Sequence, residues 1–89
     1  MKSYLTDKFL ECYQGLPNHI KRNAQRSYKI WRKHPNHPGL QFKKVGKKHE
    51  VYSVRVGIGW RALGVKDQDA IIWFWIGSHA EYEHILKQS

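Results

Sequence analysis

The sequence predicts an α+β fold: an N-terminal helical hairpin packed on a four-stranded antiparallel sheet, with a short C-terminal helix. Three observations carry this. Residues 6–34 place apolar side chains at intervals of three and four, the period of a helix face. Residues 40–76 instead hold short β-branched and aromatic stretches separated by glycine-rich or charged turns. A run of helices followed by a run of strands implies helices segregated to one side of an antiparallel sheet. With 89 residues the chain has room for one domain, 1–89, and a modest core.

Lys2-Ser3-Tyr4-Leu5 is either a short first strand or a lead-in. Thr6 is placed to N-cap a helix, with Asp7 near its positive end. Phe9, Leu10, Tyr13 and Leu16 recur at helical spacing, so the first helix runs to Gln14 and Gly15 ends it. Pro17 suits the opening turn of a second helix. Ile20, Ala24, Ser27, Tyr28 and Trp31 form its apolar stripe, and Pro35 stops it at His34. The short break between the two predicts an antiparallel pair.

After the rigid turn His34–Gly39, Leu40–Val45 reads as a strand and Gly46–His49 as a tight basic turn. Glu50–Val56 alternates cleanly: Tyr52, Val54 and Val56 face one way, Val51, Ser53 and Arg55 the other. Gly57-Ile58-Gly59 turns the chain into Trp60–Val65, where Trp60 and Ala62 oppose Arg61 and Leu63. Lys66–Asp69 is a charged turn. Ala70–Ile76 is unbroken apolar sequence, the signature of a strand buried on both faces. Gly77 breaks it, and Ser78 caps a short helix toward Leu86 that places His79 and Tyr82 on one side. The helix pair covers one sheet face; the face with Ser53, Arg55 and Arg61 is left free or closed by the last helix.

Charge narrows the function classes. The chain has 16 Lys and Arg against 7 Asp and Glu, a net charge of +9. From Cys12 to His49 every charged side chain is basic: Lys21, Arg22, Arg26, Lys29, Arg32, Lys33, Lys43, Lys44, Lys47 and Lys48. Such density repels itself unless a polyanion or an acidic protein partners it, or unless it is simply a solvated helix face. Cys12 is the one cysteine, which excludes an internal disulfide and makes a cytoplasmic location the default. No apolar run approaches the roughly 20 residues of a membrane helix, and Met1-Lys2-Ser3 opens no signal region, so no membrane partner is expected. His34 and His37 are three apart in a proline turn without a third ligand nearby, so neither a metal nor another cofactor is expected.

Three segments carry a resemblance: Leu40-Gln41-Phe42-Lys43-Lys44-Val45, the stretch Tyr52 to Leu63 with Arg55 and Arg61 around a glycine-containing turn, and Trp73 to Tyr82, a strand ending in a His and Tyr segment. In their order and spacing they resemble the RelE/ParE superfamily of bacterial toxin–antitoxin toxins, across nearly the whole chain. The resemblance implies one of two activities. RelE-type members are endoribonucleases that enter the ribosomal A site and cut mRNA; ParE-type members poison DNA gyrase. Both are silenced by an antitoxin encoded beside them, here expected to be acidic. RelE proper carries lysines on the strand aligned with Glu50–Val56, where this sequence has Val51 and Ser53 on the corresponding face.

Metal-free RNA cleavage needs a proton acceptor for a 2′-hydroxyl, donors or cations on the crowded phosphate, and a proton source for the leaving 5′-oxygen. Arg61 matches the family's active-site arginine and is expected to clamp phosphate, the alternative being a salt bridge to Glu50 or Glu81. Arg55 is expected beside it, in catalysis or in orienting the RNA. Tyr82 matches the family's C-terminal tyrosine; it is a catalytic group, a surface for base stacking, or a core residue. His79 is either an acid–base group or a cap on the strand end, with Glu81 placed to orient it. Lys43, Lys44, Lys47 and Lys48 are expected to bind RNA, with Trp60 stacking on a base. The competing functions are thus a ribosome-dependent mRNA endoribonuclease, a gyrase poison, and a basic nucleic-acid-binding module without catalysis.

Overall fold

The computed structural model describes residues 1–88. Five strands form one mixed sheet: β1 (Lys2–Leu5), β2 (Lys43–Lys44), β3 (Val51–Gly57), β4 (Trp60–Asp67) and β5 (Ala70–Ser78), in the order β1-β5-β4-β3-β2. The helices are α1 (Asp7–Gln14), α2 (Asn18–Lys33) and α3 (His79–Lys87), with a 3-10 turn over Pro38–Leu40. No helix among the described residues is long and apolar enough to cross a membrane.

The sheet departs from the four-stranded antiparallel expectation at both edges. Lys2–Leu5 is a true strand and runs parallel to β5, with Lys2 opposite Ala70 and Leu5 opposite Trp73. At the other edge, the strand expected over Leu40–Val45 shrinks to two residues. Leu40 turns inward to the core within the 3-10 turn, and Gln41 follows in the left-handed region, φ 47°, which breaks an extended run.

The helix ends follow from local chemistry. Thr6 accepts from the Phe9 N–H at 3.1 Å and donates its hydroxyl to the Trp73 carbonyl at 3.2 Å, so the cap of α1 also ties that helix to β5. Gly15 caps the other end in an ordinary right-handed conformation, φ −79°. α2 closes at His34 before Pro35. The two helices pack mainly on the sheet and less on each other than the expected hairpin implies: α1 lies on β5 and α2 on β3. An apolar groove of about 270 Å³ opens between them, lined by Phe9, Leu10, Tyr13, Tyr28, Trp31 and Trp73 among others.

Two cores sit on the two faces of the sheet. Leu16, Ile20, Trp31, Leu40, Val54, Val56, Ala62, Ile71, Trp73 and Ile76 pack under α1 and α2. Trp31 meets Trp73 edge-on, with centroids 5.4 Å apart. Leu63, Trp75 and Tyr82 form the smaller core under α3. A register shift in β5 makes this division possible: Leu63 pairs with Trp75 but Gly64 with Trp73, so Phe74 is the extra residue of a bulge. Side-chain parity flips there, which sends Trp73 to the α2 face and Trp75 to the α3 face. Gly64 is required at that point, since a Cβ would lie 2.6 Å from Ile71 Cγ2 and 2.8 Å from Trp73 Cε3.

Candidate phosphate-binding site

The alternation of β3 and β4 puts Ser53, Arg55 and Arg61 on the sheet face away from α1 and α2, as expected. Arg55 and Arg61 stand directly opposite each other across the ladder. Like charges at such a position repel, so the pair works against stability unless something negative joins it. Just beyond, β3 bulges at Val56, and Gly59 turns the chain with φ 80°, a conformation that favours glycine.

Arg61 is 6% exposed, and no carboxylate pairs with it among the described residues. Neutral oxygens hold it instead. Its Nε donates to Ser53 Oγ at 2.6 Å, Nη1 to the Gln41 side-chain carbonyl at 3.1 Å, and Nη2 to the Gln41 backbone carbonyl at 3.1 Å. The guanidinium also lies 5.3 Å from the Tyr82 ring centre. On the neighbouring strand its partner is Gly77, against which the Trp75 ring folds so closely that a Cβ would sit 2.5 Å from Trp75 Cζ2. Burial holds the Arg61 guanidinium below the usual arginine range, Tyr82 opposes that shift, and the charge of Arg55 adds to it. An arginine nevertheless stays cationic at neutral pH. The salt bridges considered from sequence do not form: Glu50 pairs with Lys44 at 2.9 Å, and Glu81 accepts from the Ser78 hydroxyl at 3.0 Å.

The last helix brings one more group to this place. Ser78 caps α3 by accepting from the Glu81 N–H, and the His79 N–H donates to the Gly59 carbonyl at 2.8 Å. That bond pins the start of α3 to the β3–β4 turn. Gln41, Arg55, Gly57, Gly59, Trp60, Arg61 and His79 together line a cleft of about 260 Å³. His79 is exposed, and its Nδ1 lies 3.5 Å from Glu83 Oε1. Glu83, one helical turn on, and not Glu81, is the carboxylate that pairs with His79; the four-residue spacing was the available signal. Tyr82 is 7% exposed and does not line the cleft; its ring packs between Arg61 and His79, whose ring centre is 5.4 Å away.

The basic residues divide by face. Lys43 pairs with Ser53 across β2 and β3, so it shares the arginine face. Lys44 pairs with Tyr52, which places it on the opposite face, where Glu50 holds it; the same contact raises its pKa above the ordinary lysine value. Lys47 and Lys48 are exposed in the turn before β3. Trp60 lines the cleft but also packs partly on the larger core. His37 Nδ1 accepts from the Gly39 N–H at 3.1 Å and so serves the 3-10 turn. Gln41 is the residue sequence reasoning passed over: nothing in the pattern foretold its left-handed backbone, on which its double hold of Arg61 depends.

No curated protein matches the chain. Solved structures do. RelE of a RelB–RelE antitoxin–toxin complex from Methanococcus jannaschii is 18% identical, with a TM-score of 0.74 over 92% of this chain and 96% of that one. YafQ from E. coli is 8% identical, with a TM-score of 0.73 over 91% and 96%. The isolated E. coli RelE toxin is 9% identical, with a TM-score of 0.64 over 99% and 98%. At such identities these likenesses bear on the fold alone. The family model of the ParE-like toxin domain matches residues 18–84, from the start of α2 into α3. The chain therefore belongs to the ParE-like toxin domain family.

Proposed function

We propose that this toxin is a ribosome-dependent mRNA endoribonuclease acting in the cytoplasm. The observation that carries the reading is Arg61: a buried cation, held only by neutral acceptors, set opposite a second arginine in a polar cleft. Such a group is costly to bury and gains its partner when a phosphodiester enters. In the proposed reaction the 2′-hydroxyl oxygen of the RNA attacks the adjacent phosphorus. The O2′–P bond forms, the P–O5′ bond breaks, and the products are a 2′,3′-cyclic phosphate and a 5′-hydroxyl. Arg61 and Arg55 stabilise the charge that builds on the phosphoryl oxygens. His79, exposed at the cleft and paired with Glu83, carries a proton between the 2′ and 5′ oxygens. Tyr82 supports Arg61 with its ring. Lys43, across from Ser53, supplies cation where the RelE pattern has lysines on the β3 strand. Trp60 offers a stacking surface, and Lys47 and Lys48 steer the polyanion.

The groove between α1 and α2 is proposed as the seat of an acidic antitoxin. Its lining carries no charged side chain, while α2 beside it has no acidic residue. An amphipathic acidic helix suits both features. The M. jannaschii structure is likewise an antitoxin–toxin complex, of RelB with RelE.

A second reading, a gyrase poison, draws on the ParE-like family match and on Val51 and Ser53 standing where RelE has lysines. One experiment separates the two. Purified translation with a defined message, read by primer extension, is run with wild type, Arg61→Ala, His79→Ala and Tyr82→Phe, with and without ribosomes, beside a gyrase cleavage assay. The expected result is ribosome-dependent cuts, reduced at least about 100-fold by Arg61→Ala or His79→Ala and little by Tyr82→Phe. Intact messages with gyrase-dependent DNA breaks would establish the second reading.

A further inference from the structure

We propose that Gln41 is the residue that keeps Arg61 available to an anion, acting as a charge-neutral clamp whose two side-chain amide N–H donors are left for a ligand. The inference rests on the phosphate-binding reading above and adds to it a positioning residue that does not come from the family's catalytic pattern.

A guanidinium has five N–H donors and no acceptor. Only the carbonyl oxygen of the Gln41 amide can therefore meet Arg61 Nη1, which fixes the amide's orientation without reference to hydrogen positions. The amide nitrogen, with two N–H groups, has no hydrogen-bond partner among the described residues, and Gln41 is exposed at the cleft it helps to line. The backbone carbonyl of the same residue takes Nη2. One residue can offer both oxygens because its backbone is left-handed, at φ 47° and ψ 44°, immediately after the 3-10 turn anchored by buried Leu40. Ser53 fixes the third direction from Nε. Five donors less these three leave two for a ligand.

The choice of amide over carboxylate matters. A glutamate at this position has nearly the same shape and accepts the same bond, but it neutralises Arg61 permanently and removes the two amide donors. The protein would gain an ion pair and lose its anion site. Gln41 thus accepts weaker hold on a buried cation in return for an uncompensated charge. Its role is positioning, since it acts through Arg61.

The test measures binding and stability together. The probe is a single-stranded RNA hexanucleotide with every 2′-hydroxyl methylated, so that it binds without being cut, read by fluorescence anisotropy over a range of salt. Gln41→Glu is expected to melt at or above the wild-type temperature, to bind at least about fivefold more weakly, and to lower the salt slope by about 0.7, the loss of one phosphate contact. A role in folding alone moves stability and affinity in the same direction and leaves the slope unchanged. Gln41→Gly, which accepts a positive φ freely and retains the backbone carbonyl, covers the case in which the glutamate variant does not fold. It too should weaken binding, by about threefold or more. If the wild type binds through Arg61 but both variants that fold bind within twofold of it, Gln41 has no such role and the inference fails. If Arg61→Ala leaves the wild-type affinity unchanged, the phosphate-binding reading fails first, and the inference with it.

Discussion

Arg61 concentrates the conflict between stability and the proposed function in one side chain. Its burial without a carboxylate partner among the described residues, opposite Arg55, costs free energy that an apolar residue would not. The double variant Arg61→Met, Ser53→Ala removes the charge together with the acceptor that would otherwise be stranded in the core, where Ser53 is 0% exposed. We expect urea unfolding to place its stability within about 1 kcal/mol of wild type or above it, while cleavage falls at least about 100-fold. A loss of several kcal/mol would mean that the arginine is a structural pillar. This tension was partly legible in the sequence. Strand alternation and a glycine turn put Arg55 and Arg61 on one face, because register determines facing. The neutral hold on Arg61 was not legible: it depends on the backbone of Gln41, and a positive φ at a non-glycine residue leaves no mark in composition. Tyr82 shows the same limit from the other side. Helical spacing placed it beside His79, but its burial beneath Arg61 follows from how α3 docks on Leu63 and Trp75.

At the level of elements, the bulge at Phe74 lets one strand feed two cores, and Gly64 is its counterpart on β4. Gly64→Ala forces a Cβ into the Ile71 and Trp73 side chains, both fixed in the core, and should cost about 2–3 kcal/mol. Gly59→Ala meets nothing within 4 Å and strains only the backbone at φ 80°, so about 1 kcal/mol is expected. Denaturant unfolding of the two variants distinguishes a packing requirement from a turn requirement; equal losses would contradict it. The helices and the three long strands were legible because their periodicity is strong and their caps are local. β1 and β2 were not clear, for opposite reasons. β1 is too short to show alternation and becomes a strand by pairing with β5, a partner some seventy residues away in sequence. The β2 segment had strand-like composition, but burial of Leu40 in a 3-10 turn overrode it.

Across the whole molecule, the cations divide between two surfaces. One sheet face carries Arg55, Arg61 and Lys43; the other carries the apolar groove flanked by α2. The sequence announced the excess of cations but not this sorting, which register and helix placement decide. Lys43→Gln should therefore reduce the salt dependence of RNA binding by roughly 0.7 in log–log slope. Lys44→Gln, on the other face and held by Glu50, should leave that slope unchanged; the reverse outcome would overturn the facing deduced from the β2–β3 register. In the proposed mechanism the arginine cleft turns the RNA's own 2′-hydroxyl on its phosphate. The most direct measurement uses a message with a single 2′-deoxy nucleotide at a mapped cut position, translated in a purified system with the wild-type toxin. Cutting is expected to disappear at that position alone, and the all-ribose message to end there in a 2′,3′-cyclic phosphate. Undiminished cutting at the deoxy position, or a message left whole at every position, would contradict that mechanism.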